Sequence, residues 1–262
     1  MRSVAARHAL LGALSLLLCA VPRCAAAKLA DGCARVYVDM GSNAGTQIRK
    51  LYEPQLFATS PEGNPSEEVF ARAFGTSRAD VCSFGFEASP RHALRLHALE
   101  RAYNKVGFRV RFFTHTAVTT SDANVTFFFS GIAADAIDGV ASTKAGTGDQ
   151  QVSVQGVDMA AWMLREVIGR EMPSSATGGA PVPAILMKSD IENNDMDVLS
   201  RMLVTGELCH VNEVYGEHME DDWLKSMGDV LRAGRCPTVI TPADDETGQG
   251  GAAYLALPLP GS

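Results

Sequence analysis

From about residue 35 onward, short apolar runs alternate with segments whose apolar residues recur every three or four positions. The first pattern is that of strands and the second that of amphipathic helices. Residues 36–40, 81–86 and 184–188 are nearly continuous apolar runs, which predicts strands covered on both faces, as in a parallel sheet. Residues 108–113 alternate basic with apolar side chains, 124–129 are dense in aromatics, and 208–214 complete the set of internal strands. Helical spacing is carried by Ile48, Leu51 and Tyr52, by Leu94, Leu96, Leu99 and Tyr103, by residues 159–168, by Met196, Leu199, Met202 and Leu203, and by residues 223–231. Ser89 and Pro90 supply a cap and a first-turn proline for the second of these. Residues 53–80 form an insertion with a short amphipathic piece at 69–74, and 139–150 and 173–183 read as loops. The pairs 238–241 and 252–257, separated by an acidic glycine-rich stretch, predict a closing antiparallel hairpin. Strand–helix alternation with no internal repeat predicts an α/β, Rossmann-like domain. Its sheet is expected to be mostly parallel and seven-stranded, with a C-terminal antiparallel hairpin.

The first 27 residues are a different kind of sequence. Arg2 and Arg7 make a basic start, residues 9–20 are apolar, and Ala25, Ala26 and Ala27 offer a small-residue cleavage site. This is the pattern of a secretory signal peptide, and the apolar stretch is shorter than the roughly 20 residues of a membrane span. The expectation is a leader at 1–27, a domain at 28–262, and no span after cleavage. Destinations consistent with it are the lumen of the endoplasmic reticulum or Golgi, or secretion. Loss of the leader removes three arginines and no acidic residue, taking the formal charge from −7 to −10. So acidic a chain argues against nucleic acid as a partner. Cys33, Cys82, Cys209 and Cys236 remain, an even number, and suggest disulfides with three pairings open. Each stands at or just before a predicted strand start, away from the edge where ligands bind. Asn124-Val125-Thr126 matches the acceptor pattern for Asn-linked glycosylation, within a predicted strand.

The richest segment is Val36-Tyr37-Val38-Asp39-Met40-Gly41-Ser42-Asn43-Ala44-Gly45, in which a strand delivers an acid into a glycine turn and a helix follows. That is how an open α/β sheet builds a nucleotide pocket. The spacing is not the G-x-G-x-x-G of dinucleotide sites, and the turn holds no Lys or Arg to meet a phosphate. An acid in front suits a ligand with a positive end and ribose hydroxyls, and S-adenosylmethionine has both. Asp39, Glu87, Asp190 and Glu217 each fall at or just past the carboxyl end of a different predicted strand, so a parallel sheet brings them to one rim. Glu87 is placed to take the ribose hydroxyls and Asp39 to orient the amino-acid end of the ligand. Asp190 stands where a hydroxyl acceptor would need a general base. A terminal hairpin on such a sheet belongs to the class I methyltransferase fold.

Three blocks resemble the FkbM-type methyltransferase family: VYVDMGSNAG, FGFEASPRH and MKSDIENNDMDVL, the last followed by EVYGEH. The likeness spans about residues 35–218. The resemblance implies cofactor binding by Asp39, Gly41, Asn43, Gly45 and Glu87, with Ser42 of the same turn expected to join them, and an acidic block at Asp190, Glu192 and Asp195. It implies metal-independent methylation of a hydroxyl oxygen, on a small molecule or a glycan. The chain departs from the family pattern at Ala88, Asn193, Asn194 and Asp195.

The expected activity is therefore an S-adenosylmethionine-dependent O-methyltransferase of the secretory pathway, with Asp190 and Glu192 catalytic. The secretory leader makes a glycan hydroxyl the natural acceptor. A binding protein that keeps the fold without turnover is the alternative, and a nicotinamide-dependent oxidoreductase is disfavoured by the glycine spacing and the hairpin. His115 and His218 are candidates for proton transfer. The methionines at helical spacing, with Trp162 and Trp223, read as core.

Overall fold

The computed structural model describes residues 26–57, 65–129, 141–143, 149–174, 184–192, 194–217, 219–243 and 254–262. Residues 1–25 of the predicted leader, Asn193, His218 and the acidic stretch before residue 254 fall outside them. In chain order the elements are β1 (Arg35–Met40), α1 (Thr46–Tyr52), α2 (Pro65–Phe74), β2 (Val81–Glu87), α3 (Ala93–Lys105), β3 (Arg109–Thr114), β4 (Thr116–Thr119) and β5 (Asn124–Phe129). They continue with β6 (Ala141–Ser142), β7 (Gln150–Asp158), α4 (Met159–Glu166), β8 (Ala184–Ser189), α5 (Asp195–Thr205), β9 (Glu213–Gly216), α6 (Asp221–Ala233) and β10 (Val239–Pro242).

Six strands form the central sheet in the order β10-β9-β8-β1-β2-β3, every pair parallel. The order reverses between β1 and β8, and an open α/β sheet binds ligands at such a switch point. Alternation along each strand divides the core in two. Val36, Val38 and Met40 of β1 and Ile185 and Met187 of β8 pack on Trp162 and Met163 of α4, on Val198, Leu199 and Met202 of α5, and on α6. Tyr37 and Leu186 face the other way, onto Ile48 and Leu51 of α1, Phe70 of α2 and Leu96 and Leu99 of α3.

The expected seventh strand and closing hairpin are not formed by the described residues. β10 lies parallel to β9, with Val239 opposite Glu213, because α6 carries the chain back across the sheet between them. Tyr254 and Leu255, expected in a strand, instead form part of a helical turn. The Tyr254 ring is buried against Ala44 and Phe57, and its hydroxyl donates to the Ala44 carbonyl at 3.0 Å. The guanidinium groups of Arg95 and Arg49 lie 4.6 and 5.8 Å from its ring centre. A few apolar residues near a terminus can be buried in a groove between helices as well as on a sheet, and nothing in their spacing separates the two.

A second, smaller sheet holds β4, β7, β5 and β6 in that order, where the sequence pattern predicts only one sheet. β5 belongs here, antiparallel to β7, and not to the central sheet. Its signal was present in Gln151-Val152-Ser153-Val154-Gln155, a period-two alternation just after the predicted loop.

Cys33, Cys82, Cys209 and Cys236 form two disulfides, Cys33–Cys82 and Cys209–Cys236. The first ties the segment before β1 to the start of β2, and the second joins the segments leading into β9 and β10. Both lie at the amino edge of the central sheet, opposite the strand ends that hold the acids, and both fit an oxidising environment. They close loops with sequence separations of 49 and 27 residues. Loop-closure entropy for such lengths is roughly 4 kcal/mol each. Peptide mapping under non-reducing conditions is expected to recover these two pairs and no other, and Cys33→Ala/Cys82→Ala is expected to lower the unfolding free energy by about that amount in a denaturant titration.

Candidate functional site

The rim is built by register. Asp39 lies opposite Gly85 on one side and Lys188 on the other, so a carboxylate and an ammonium share one sheet face at the switch point, on adjoining strands. Asp39 is fully buried. The chain then leaves β1 through a turn in which Gly41, Asn43 and Gly45 have φ of 85°, 50° and 87°. Gly41 is obligatory on two counts. It has a left-handed backbone, and a Cβ there would stand 1.8 Å from the carbonyl oxygen of Asp190. That contact, with the Asp190 N–H donating to the Met40 carbonyl at 3.1 Å, fastens the end of β8 onto the turn after β1.

The backbone N–H groups of this turn are largely engaged within the protein. Gly41 and Ser42 both donate to the Phe86 carbonyl, at 3.1 and 2.8 Å, and Gly45 donates to the Ser42 carbonyl at 2.7 Å. Asn43 donates to Glu87 Oε2 at 2.7 Å. A turn that would cradle a phosphate in a dinucleotide enzyme here grips a protein carboxylate. Ser42 is buried in the floor, where its hydroxyl donates to the Asp39 carbonyl at 3.2 Å. It fits there because residue 85 is glycine; a Cβ added at that position would stand 2.5 Å from the Ser42 hydroxyl oxygen.

Glu87 ends β2 and accepts a second backbone bond, from Ser89 to Oε1 at 2.6 Å. It joins the β1–α1 turn to the start of the segment leading into α3. A carboxylate has about four acceptor positions, so two backbone bonds leave capacity for hydroxyl donors. Burial pushes its pKa up to about 7, against the opposing pull of the Ser89 and Asn43 N–H groups and of Lys188, while the charge of Asp39 adds to the rise.

Lys188 is the residue the sequence reading did not single out. It is buried, and its Nζ donates to Asp190 Oδ2 at 2.9 Å and to the Gly41 carbonyl at 3.1 Å. Asp190 is thus half of an ion pair on the rim. The signal was the alternation of β8, which sends Leu186 and Lys188 to the same face as Asp39. Glu192 lies in the loop after β8, half-buried, with φ of 52°. Asp195 is buried and accepts from the Ser189 hydroxyl at 2.6 Å and from the Ile191 N–H at 3.1 Å. Burial raises its pKa, and its bonds tie the loop carrying Asp190 and Glu192 to the first turn of α5. Glu217 directly follows β9. Asp39, Glu87, Asp190 and Glu217 therefore meet the ends of the four adjacent strands β1, β2, β8 and β9. His115 is exposed in the turn between β3 and β4, with φ of 54°.

The small sheet leans over this rim. Phe127 and Phe129 of β5, with Ala117 and Val154, pack on Ala88 just past Glu87, and the Arg91 guanidinium lies 5.1 Å from the Phe129 ring centre. On the far side, Asn194 Nδ2 donates to the Thr143 hydroxyl beyond β6 at 2.6 Å. One insertion thus touches the chain after β2 and the start of α5, on opposite sides of the switch point.

Gly41→Ala is expected to cost at least about 3 kcal/mol of unfolding free energy, since it combines a backbone collision with a left-handed φ. Gly75→Ala, at φ 71° with open space around it, isolates the backbone contribution and should cost only about 1–2 kcal/mol. Denaturant titration of both variants measures the difference.

No protein-family model, no curated protein and no solved structure matches this chain.

Proposed function

We propose that the chain is an S-adenosylmethionine-dependent O-methyltransferase acting on a hydroxyl acceptor, of which a glycan hydroxyl fits the oxidising compartment best. The observation that carries the reading is the carboxylate of Glu87 seated in the glycine turn. The N–H groups of Gly41, Ser42, Asn43 and Gly45 are already engaged, which removes the main attraction for a pyrophosphate and disfavours a nicotinamide dinucleotide. The site is acidic, with Asp39, Glu87 and Asp190 against Lys188, and so favours a ligand that is cationic at its reacting end. The parallel six-strand order without a terminal hairpin is shared with dinucleotide folds, so the preference rests on the turn and not on the sheet.

Bound S-adenosylmethionine supplies a methyl group activated on a sulfonium. Glu87 has the acceptor capacity for a pair of ribose hydroxyls. Asp39, buried beneath the turn, contributes negative potential. Asp190 is the candidate to take the proton of the acceptor hydroxyl, with Lys188 holding its orientation, and Glu192 lies two residues further along the same loop. Placement and charge are enough for a transfer of this kind.

The Lys188–Asp190 pair favours a second reading, a protein that binds the same ligand without turnover. One oxygen of that carboxylate is already engaged by the ammonium.

Calorimetric titration with S-adenosylmethionine is expected to give saturable binding that NAD does not compete away, and Glu87→Gln is expected to weaken it at least tenfold. Absence of binding to the wild-type chain would sink the cofactor assignment. The pH dependence follows from Glu87. Its proton is held in the fold up to about pH 7, above the ordinary carboxylate range, so its contribution to the stability of the ligand-free protein is complete below about pH 4.5 and is lost as pH rises through 7. Ligand that needs the ionised form should bind up to about tenfold more weakly for each pH unit below 7, a slope absent in Glu87→Gln.

Methyl-tritium transfer to a panel of glycans and small alcohols separates the two readings. Turnover that falls by about 10²–10⁴ in Asp190→Asn, with ligand affinity kept, fits a general base there. Ligand binding with no transfer to any acceptor supports the binding protein.

A further inference from the structure

We propose that Asn124 carries an N-linked glycan that covers the outer face and the open edge of the small sheet. The sequon Asn124-Val125-Thr126 begins β5, where strand alternation puts its first and third side chains on one face. Asn124 and Thr126 are exposed on the outer face, whereas Val125 points inward and packs against the cluster of Phe127, Phe129 and Val154. The residues before it, 120–123, are exposed as well, so the acceptor amide projects from the tip of a solvent-facing loop. The chain's one other Asn-x-Ser, Asn64-Pro65-Ser66, is closed to this chemistry by its proline.

Two further observations point to a cover. The outer face continues across β7, where Gln155 and Ser153 lie opposite Asn124 and Thr126, and Gln151 lies opposite Phe128; all three β7 side chains are exposed. Apart from the half-buried Phe128, this face is polar yet uncharged, in a protein whose composition is one-fifth charged. Uncharged amides and hydroxyls suit a neutral saccharide lying against them. The second observation is the edge. β6 pairs only with Phe128 and Phe129, so residues 124–127 have a strand partner on the β7 side alone among the described residues. Asn-Val-Thr-Phe-Phe-Phe has high β propensity and no charge, proline or glycine, the composition of a segment that recruits further strands. Sheet edges of this kind are blocked by lysine, proline or a bulge, and β5 has none of these residues. A branched sugar at Asn124 would block the edge sterically.

The compartment agrees. Cys33–Cys82 and Cys209–Cys236 form where thiols are oxidised, and Asn-linked glycosylation is a modification of proteins in that setting. In the reaction, Asn124 Nδ2 bonds to the anomeric carbon of an oligosaccharide carried on a lipid diphosphate. The anomeric C–O bond breaks, the lipid diphosphate leaves with its electron pair, and the amide proton passes to a base of the transferring enzyme.

The test uses the full chain, with its own first residues, expressed in cultured animal cells. Treatment with peptide N-glycosidase in heavy-oxygen water is expected to lower the apparent mass and to leave Asn124 as heavy-oxygen-labelled Asp in the recovered peptide. Asn124→Gln and Thr126→Ala should each abolish the shift, whereas Thr126→Ser, which keeps the hydroxyl, should retain it and so exclude misfolding as the cause. Recovery of the Asn124 peptide only at its unmodified mass, from inside the cells or from the medium, would overturn the proposal. So would a mass shift that survives both abolishing variants.

Discussion

A single buried carboxylate organises the rim of this protein. Glu87 sits at the end of β2 and takes one backbone N–H from the turn after β1 and another from the segment that leads into α3. Removing a carboxylate from water is costly, and two short bonds from backbone donors offset only part of that cost. Its elevated pKa is the mark of what is left uncompensated. The same bonds close the turn to phosphate while leaving the carboxylate able to accept from hydroxyls. The build of the rim and the proposed ligand preference thus rest on one interaction.

The second constraint is the contact of Gly41 with the Asp190 carbonyl. The connections after β1 and β8 leave the sheet on opposite faces, toward α1 and α5, and open α/β sheets bind ligands in the crevice outside the strand ends at such a point. Here the turn and the end of β8 are closed onto each other, with Lys188 joining them from below through the Gly41 carbonyl and the Asp190 carboxylate. Asp190 is presented at the rim by an ion pair and by the loop that Asp195 holds through Ser189 and Ile191. Such a carboxylate is well oriented, with one oxygen committed to the ammonium.

The two edges of the sheet are held differently. The two disulfides pin the amino ends of the strands, whereas at the rim residues 254–258 pack through Tyr254 into the groove where Arg95 and Arg49 meet the α1 turn. Arg49 also holds Glu53 in a two-pronged ion pair, which in turn accepts from the Tyr103 hydroxyl. The glycine turn is therefore braced from outside by the chain terminus, while Glu87 holds it from within.

Periodicity along the chain was sufficient to establish the α/β class, the strands β1, β2, β3 and β8, and the convergence of Asp39, Glu87, Asp190 and Glu217. Those features follow from local rules: a buried strand must be apolar, and all parallel strands end at one edge. The sequence could count the cysteines but not pair them, because pairing depends on which strands become neighbours. It mistook the terminal segment for a hairpin and overlooked the small sheet, since the burial of Tyr254 or Val154 is decided by what packs opposite. Lys188 was hidden for the same reason. A lysine in an apolar run is only a polar interruption until the register sets it beside Asp39 and turns it toward Asp190. Residue type and spacing determined which groups reach the rim; which of them are bonded to one another was decided by tertiary contacts between residues far apart in the chain.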